Sequence, residues 1–340
     1  MVMTNEHYKT TSVIQISDKN KPTDNFQVSV HVLSYNHELS LRKCLDNILS
    51  QKVDFNVEII VHDDCSTDLS LSICLEYKNK YPYLFTIVSE KTNLYKETNG
   101  VLEIEKKLTE ISKGKYIALC EGDDYWIDDL KLFTQYHSLL DKPDICFCVH
   151  RVLVNNVSNG STSYYPVKKI RSGIIKSKKF ISIVNDCYSF QTSSYFIKTN
   201  ACLEFYNKVP KFAIFMPTND EAWLLYFGSK SDVMYIDSAM SCYNKMMNNS
   251  WTSKESLYTP LKRKENRLSV VKSINEFNNY TNFVYNESCQ KRISHNMLMV
   301  FINDNDFRSI FENKDISREF WRLDKKSFIK KWIKTYVFKK

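Results

Sequence analysis

The chain has 340 residues, of which 43% are hydrophobic and 25% are charged, a composition typical of a soluble globular protein with a substantial core. No apolar run approaches the roughly 20 residues that cross a bilayer, and residues 1–25 lack the apolar core of a signal peptide, so we expect a cytosolic protein. The formal net charge of +8 suggests nucleic-acid binding, but much of it lies after Asp324, where seven lysines follow. This concentration argues against a nucleic-acid partner.

The first half of the chain predicts strands that alternate with helices. Residues 1–25 are polar, and we expect a poorly ordered lead-in before a fold that starts at Phe26. Apolar runs and helical periodicity predict strands at 28–35, 57–62, 84–88, 116–120 and 145–154 and helices at 39–50, 69–81 and 103–112. This alternation indicates a parallel sheet covered by helices on both faces, with ligands beyond the carboxyl ends of the strands.

An acidic motif, Glu121-Gly122-Asp123-Asp124-Tyr125-Trp126, directly follows one of these strands. Three adjacent carboxylates repel one another unless a cation lies between them, and oxygen ligands suit Mg²⁺ or Mn²⁺. A solvated acidic turn is the simpler alternative, but a buried strand before it and two aromatic residues after it favour the metal site. With only six glycines the chain has no phosphate-binding glycine motif, so a cation must neutralise any bound phosphate.

Other features of the sequence leave simpler structural explanations open. Asp68 is equally well explained as a helix N-cap, and the same alternative exists for Asp220. The ten cysteines lie mostly in apolar, regularly patterned segments, so we interpret them as small buried hydrophobic residues rather than disulfides or zinc ligands.

Beyond residue 144 the pattern weakens and predicts a loop or hairpin at 155–172, a helix at 180–184, strands at 193–198 and 232–243, and a mainly helical region from 254.

The order of the motifs resembles that of the family 2 glycosyltransferases. The four motifs are Ser34-Tyr35-Asn36-His37-Glu38, Asp63-Asp64-Cys65-Ser66-Thr67-Asp68, the acidic motif, and Asn219-Asp220. The likeness covers roughly two-thirds of the chain, from Gln27 to Thr252. It implies an α/β GT-A fold with a mainly parallel central sheet flanked by helices, and transfer of a sugar from a nucleotide diphosphate donor with inversion.

The resemblance implies roles for the residues that would hold the donor. Tyr35, next to Ser34, would stack on the base, and Asp64 would accept a hydrogen bond from a base N–H. Asp123 would face the ribose. Glu121 would support the donor from the start of its motif.

The resemblance also implies a metal ligand and a catalytic base. Asp124 would hold Mn²⁺ or Mg²⁺ on the donor diphosphate. Asp220 matches the general base that removes the proton of the attacking acceptor hydroxyl, which a carboxylate at a helix start can do. Glu221 is its nearest rival and a candidate acceptor contact.

The sequence departs from the family pattern at three positions. Cys65 and Asn219 replace glycines, which is tolerable where the backbone angles are ordinary. Met246 stands where relatives carry a metal- or diphosphate-binding histidine, and a thioether does not serve a hard ion. Lys245 is a candidate replacement as a phosphate partner, and Trp251 resembles an aromatic residue that lines the acceptor or donor sugar.

Residues 324–340 predict a basic amphipathic helix. Such a helix suits an anionic membrane surface, and it would equally well pack on its own domain. We therefore expect a lead-in at 1–25, a GT-A domain at 26–253 and a mainly helical extension at 254–340. The expected function is glycosyl transfer, most often from a UDP-sugar, to a saccharide or lipid-linked saccharide at the inner face of a membrane in surface polysaccharide synthesis. A non-catalytic sugar-nucleotide-binding protein is the alternative.

Overall fold

The computed structural model describes residues 13–97, 100–187, 190–247 and 251–322, so the predicted segment 324–340 lies outside the described residues. The strands are β1 Ile14–Gln15, β2 Val28–Ser34, β3 Lys52–Val53, β4 Val57–Asp63, β5 Phe85–Ser89, β6 Tyr116–Glu121, β7 Tyr125–Trp126, β8 Phe147–Asn156, β9 Ser161–Tyr165, β10 Gly173–Ile175, β11 Phe196–Lys198 and β12 Val233–Lys245. The helices are α1 Leu41–Leu49, α2 Ser70–Lys80, α3 Leu94–Glu97, α4 Val101–Ile111, α5 Lys131–Leu140, α6 Ser177–Cys187, α7 Thr199–Asn207, α8 Lys211–Phe215, α9 Asn219–Lys230, α10 Trp251–Ser256, α11 Pro260–Tyr280, α12 Asn286–Asp304, α13 Phe307–Glu312 and α14 Lys314–Arg322.

The central sheet has the strand order β10-β12-β8-β11-β6-β2-β4-β5. β2 is parallel to β4 and β6, and β4 is parallel to β5, as the alternation of strands and helices predicts. The short β11 runs antiparallel between β6 and β8, so the sheet is mixed on that side. Leu33 pairs with Glu121 and Ser34 pairs with Asp63, which places the polar turns after β2, β4 and β6 at one edge.

Successive side chains of the central strands point to opposite faces of the sheet, and they belong to two hydrophobic cores, one on each face. On one face Val28, Val30 and Val32 of β2 pack against apolar residues of α1, α2 and α5. On the other face Ile117 and Leu119 of β6 pack with α6, α7 and α9. The helices predicted at 39–50, 69–81 and 103–112 correspond to α1, α2 and α4.

The ordered fold begins earlier than the sequence predicts. β1 pairs antiparallel with β3, and Ile16 directly after it is fully buried in the core beside α1. The expectation of a poorly ordered lead-in is therefore wrong for residues 13–25, because one apolar side chain and a two-residue strand are too short to give a periodic signal.

The helices after residue 254 are joined to the main domain through a shared core. Ile274 and Phe277 of α11 and Cys289 of α12 belong to the same buried cluster as Phe212 and Phe227. The distal helices α13 and α14 form a separate small core with the end of α12. No helix among the described residues is long and apolar enough to cross a membrane.

Candidate active site

Three carboxylates meet where β6 ends. One carboxylate oxygen from each of Glu121, Asp123 and Asp124 lies within 4.8 Å of the others. Burial, followed by the charges of Asp123 and Asp220, raises the pKa of Glu121 to about 8. Burial, followed by the charges of Asp123 and Glu121, also raises the pKa of Asp124. A divalent cation fits this set, because hard oxygen ligands hold Mg²⁺ or Mn²⁺ and the positive charge would relieve the repulsion.

Asp124 is held by donors from two other parts of the chain. Its Oδ2 accepts a hydrogen bond from Gln191 Nε2 (2.9 Å), and its Oδ1 accepts one from the Asn244 backbone amide (2.9 Å). Gln191 in turn accepts from the Ser193 amide (2.8 Å). Such donors orient a ligating carboxylate and leave its further lone pairs for an ion.

Sequence reasoning missed Gln191, which precedes the hydroxyl residues Thr192, Ser193 and Ser194. Those hydroxyls are used internally, since Ser193 Oγ lies 2.7 Å from Ser241 Oγ and Ser194 Oγ donates to the Gln191 carbonyl (2.7 Å). A polar run directly before a short strand was the available signal. It does not reveal which of its side chains reaches the acidic motif.

The turns after β2 and β4 interlock through side-chain hydrogen bonds. Asn36 Oδ1 accepts from the Thr67 amide (2.8 Å), and Asp68 accepts from the amides of Glu38 (3.0 Å) and Ser70 (2.9 Å). Asp68 therefore stabilises the turns, although the N-cap residue of α2 is Leu69 rather than Asp68. These contacts fix the positions of the predicted donor residues that lie between them.

The predicted base-binding residues lie together at this edge. Asp64 is buried, and its two carboxylate oxygens accept from the amides of Leu94 (2.7 Å) and Tyr95 (3.1 Å) at the start of α3. Ser34 Oγ is buried and has no hydrogen-bond partner among the described residues. The Tyr35 ring is partly exposed and lies 5.6 Å below the Lys96 ammonium.

His37 is a second residue that sequence reasoning did not single out. Its Nε2 lies 4.0 Å from Asp123 Oδ2, and its Nδ1 is buried without a hydrogen-bond partner. The ring packs against Gly122, where an added Cβ would lie 2.7 Å from His37 Nδ1. Gly122 is therefore required to bring the imidazole against the acidic motif. The contact crosses from the β2 turn to the β6 turn, so local sequence does not disclose it.

Asp220 lies in the first turn of α9, close to the acidic cluster. Its Oδ1 accepts from the Glu221 amide (2.9 Å), and burial raises the pKa of its carboxyl to about 7. Its charge is one of the causes that raise the pKa of Glu121, so the two side chains lie near each other. General base catalysis near neutral pH uses a group with a pKa in this range.

Glu221 points in a different direction. It is buried and forms an ion pair with Arg292 of α12, which also donates to the Val184 carbonyl (3.3 Å). The structure does not bring Glu221 to the acidic cluster; it brings it to the helical side of the domain.

Two of the family departures now have a structural account. Cys65 has a φ of 61°, in the left-handed region that favours glycine, so the condition of an ordinary backbone is not met there. Asn219 begins α9 with ordinary geometry, and its amide is best oriented with the oxygen accepting from the amides of Val101 (3.3 Å) and Leu102 (2.9 Å). Asn219 therefore joins the starts of α9 and α4.

The end of β12 contacts the acidic motif, since the Asn244 side chain donates to the Asp123 carbonyl (2.7 Å). Lys245 ends β12, and Met246 follows with a φ of 67°. The Met246 amide donates to Thr252 Oγ1 (3.2 Å), which ties α10 back to the strand. Trp251 opens α10, but its side chain lies outside the part of the chain that the structure describes.

The model of the glycosyl transferase family 2 matches residues 29–198, which is half of the chain. The chain belongs to this family. Among curated proteins it is similar to Rv1520 of Mycobacterium tuberculosis, with 39% identity over 139 residues, 41% of this chain and 39% of that protein. It is also similar to the UDP-Glc:alpha-D-GlcNAc-diphosphoundecaprenol beta-1,3-glucosyltransferase WfaP of Escherichia coli, with 34% identity over 110 residues, 32% of this chain and 40% of that protein. The matches thus span about two-fifths of the length of these relatives.

Solved glycosyltransferases share the fold. Residues 1–349 of S. aureus TarS in complex with UDP-GlcNAc match with a TM-score of 0.59 and 16% identity, over 91% of this chain and 79% of that chain. The mannosyltransferase PcManGT from Pyrobaculum calidifontis, in complex with GDP-Man and Mn²⁺, matches with a TM-score of 0.50 and 12% identity, over 95% of this chain and 93% of that chain. The predicted GT-A fold of this family 2 glycosyltransferase is confirmed.

Proposed function

We propose that the protein transfers a sugar from a UDP-sugar donor to a saccharide or lipid-linked saccharide acceptor, with inversion at the anomeric carbon and with Mn²⁺ or Mg²⁺ as cofactor. The observation that carries the proposal is the cluster of Glu121, Asp123 and Asp124 with Asp220 close by. The complexes of TarS with UDP-GlcNAc and of PcManGT with GDP-Man and Mn²⁺ support a nucleotide sugar and a divalent cation.

The acidic motif would bind the donor. Asp124 would hold the cation, which when bound neutralises the diphosphate leaving group, and Asp123 would contact the ribose with support from Glu121. The fixed orientation of Asp124 supports this role, because Gln191 and the Asn244 amide restrain its carboxylate.

The remaining donor contacts would come from the edge of the sheet. Tyr35 would stack on the base beside Ser34, whose buried hydroxyl lacks a partner among the described residues. Asp64 would accept from the base N–H, and Lys245 would contact a phosphate.

The catalytic step would depend on Asp220. Its carboxylate would take the proton of the acceptor hydroxyl as that oxygen attacks the anomeric carbon, and the bond from that carbon to the diphosphate would break on the opposite side. A pKa of about 7 supports this, since such a carboxylate is a stronger base than an ordinary aspartate and is still ionised near neutral pH. Glu221 and Trp251 were the sequence-based acceptor candidates, and of these Glu221 is engaged by Arg292.

The relatives support a place in surface polysaccharide synthesis. WfaP is named for transfer to a diphosphoundecaprenol-linked sugar, and this supports a lipid-linked acceptor here. The protein would then work in the cytoplasm at the inner face of a membrane, with residues 324–340 as the candidate contact with anionic lipid.

The proposal is tested by donor hydrolysis and transfer with a panel of nucleotide sugars, with Mn²⁺ and with chelator. We expect activity to require the cation, and the Asp124→Ala variant to lose it. Turnover that survives both chelation and Asp124→Ala would refute the metal role. Donor binding without turnover across a broad acceptor panel would instead favour a non-catalytic binding protein.

A further inference from the structure

Helix α4 begins without a capping side chain of its own. Its N-cap is Gly100, which has a φ of 63° and no side chain that could accept from the amides of the first turn. Leu102 in that turn is buried, so water does not reach its amide freely. A helix start in this position needs an acceptor from another part of the chain, because a buried amide without a partner is costly.

Asn219 supplies that acceptor. Its side-chain oxygen, in the favoured orientation of the amide, accepts from the amides of Val101 (3.3 Å) and Leu102 (2.9 Å). Asparagine is among the best N-cap residues, and Asn219 is itself the first residue of α9. The glycine that the family pattern carries at this position has no oxygen for such a contact. One side chain therefore joins the starts of two helices.

The proposed base directly follows Asn219, and its backbone is held from a second direction. The hydroxyl of Tyr195, a fully buried residue, donates to the Asp220 carbonyl (3.3 Å). The N-cap of α9 is Thr218, whose side chain forms no capping hydrogen bond. The position of the Asp220 carboxylate therefore depends on the contacts that Asn219 and Tyr195 make between α9 and other elements.

The start of α4 is also tied to the edge that is expected to hold the donor base. Asp64 accepts from the amides of Leu94 and Tyr95 at the start of α3. The Tyr95 ring packs against Gly100, where an added Cβ would lie 3.3 Å from the ring. A path of contacts thus runs from Asp64 through α3 and Gly100 to α4, and from α4 to Asn219. The donor edge and the base are attached to the same helix start.

We propose that Asn219 is a positioning residue for glycosyl transfer. By capping α4 it holds the Asp220 carboxylate at a fixed place relative to the bound donor, with Tyr195 as a second support. This inference rests on the proposed function, in which Asp220 is the base. Proton transfer requires hydrogen-bond reach, and a misplacement of about 1 Å costs up to roughly a hundredfold in rate. Asn219 acts through Asp220, so it affects turnover rather than donor binding.

The test compares N219A with T259A, the matched control, in the whole chain. Thr259 is the N-cap of α11, and its hydroxyl accepts from the Lys262 amide (3.2 Å), so T259A also removes a helix cap. Each variant should lower the melting temperature by roughly 1 to 2 °C. Hydrolysis of the nucleotide sugar that the wild type cleaves fastest, with saturating Mn²⁺, gives kcat and KM. Calorimetry gives the affinity for UDP with Mn²⁺.

The expected result is a separation of kcat from donor binding. N219A should lower kcat by about ten- to a hundredfold, because the base is no longer held in reach of the attacking oxygen, while KM and UDP affinity stay within about twofold. T259A should keep the wild-type kcat. Y195F removes only the hydroxyl that supports the Asp220 carbonyl, and it should lower kcat by about three- to tenfold with unchanged UDP affinity.

Four results would overturn the inference. Wild-type kcat in folded N219A would show that the base does not depend on the cap. An equal loss of kcat in T259A would assign the effect to lost stability. A loss of UDP affinity as large as the loss of kcat would assign Asn219 to donor binding. If N219A did not fold, unchanged kcat in Y195F would count against the support of the base.

The proposed function has a separate readout. If the wild type turned over no nucleotide sugar, glycosyl transfer would be refuted, whereas amide hydrogen exchange would still test the link between the helices. In N219A, exchange should rise by roughly fivefold or more at the starts of both α4 and α9, and in T259A only at the start of α11. A rise in N219A that is confined to α4 would overturn the link to the residue that follows Asn219.

Discussion

Replacing Asp220 with asparagine should lower activity and raise stability at the same time. Asparagine keeps the shape of the side chain but cannot accept a proton, and general base catalysis contributes about 10²- to 10⁴-fold. We therefore expect the Asp220→Asn variant to lose transfer by that factor, about 3 to 5 kcal/mol in the activation barrier, while donor binding stays unchanged.

The stability change follows from the position of the carboxyl. Its pKa is raised from 3.8 to about 7, so above pH 7 the folded state holds a charge that the unfolded state solvates better. The full difference corresponds to about 4 kcal/mol, at about 1.4 kcal/mol for each tenfold change in proton affinity. Because the side chain is partly exposed, screening by water reduces this, and we expect about 1 to 2 kcal/mol, or roughly 1 to 3 °C in melting temperature, at pH 8.

The sign of the pH dependence provides a control. A raised carboxyl pKa contributes stability that is present below pH 3.8 and is lost as the pH rises to about 7, so the gain in Asp220→Asn should be larger at pH 8 than at pH 5. Asp68 provides the opposite comparison. Burial raises the pKa of its carboxyl, but hydrogen bonds from Ser70 and Glu38 outweigh burial and lower the pKa. Asp68→Asn should therefore destabilise the folded state at pH 8. Thermal melting at both pH values and single-turnover transfer test the pair. Normal turnover in Asp220→Asn would refute the role of Asp220 as the base. A melting temperature of this variant below that of the wild type at pH 8 would refute the prediction that the Asp220 charge destabilises the folded state.

Four further outcomes are expected. The transfer rate of the wild type should rise about tenfold per pH unit below pH 7 and then level off, because Asp220 must be ionised; a flat profile would contradict this. Removing Mn²⁺ with chelator, or changing Asp124 to Ala, should abolish the thermal stabilisation given by UDP in the wild type, and unchanged stabilisation would exclude a cation at the motif. Cys65→Gly should raise the free energy of unfolding by about 0.5 to 1 kcal/mol, since φ is 61° there, whereas Cys65→Ala should not, as denaturant titration would show. Arg292→Met should destabilise by about 3 to 5 kcal/mol by leaving Glu221 buried without its partner, and adding Glu221→Gln should restore much of the loss; no restoration would mean that Arg292 acts through other contacts.

The local elements of the first half of the chain were predictable from residue patterns. Apolar runs and helical spacing place β2, α1, β4, α2, β5, α4 and β6 within a few residues of their observed bounds. The edge where the turns meet was also predictable, because parallel strands bring their carboxyl ends together. Short elements such as β1 and β7 were not, because two residues carry no periodicity.

The sequence by itself determined the family, the fold class and the carboxylates of the site, because these depend on motifs and on strand and helix periodicity that each segment carries locally. Only the tertiary structure decided what surrounds those carboxylates. It brings Gln191 to Asp124, His37 against Gly122 and Arg292 to Glu221, and each of these contacts joins segments that are far apart in the chain. Burial likewise raises the pKa of Asp220, and burial depends on how the layers pack rather than on the neighbours of a residue in sequence.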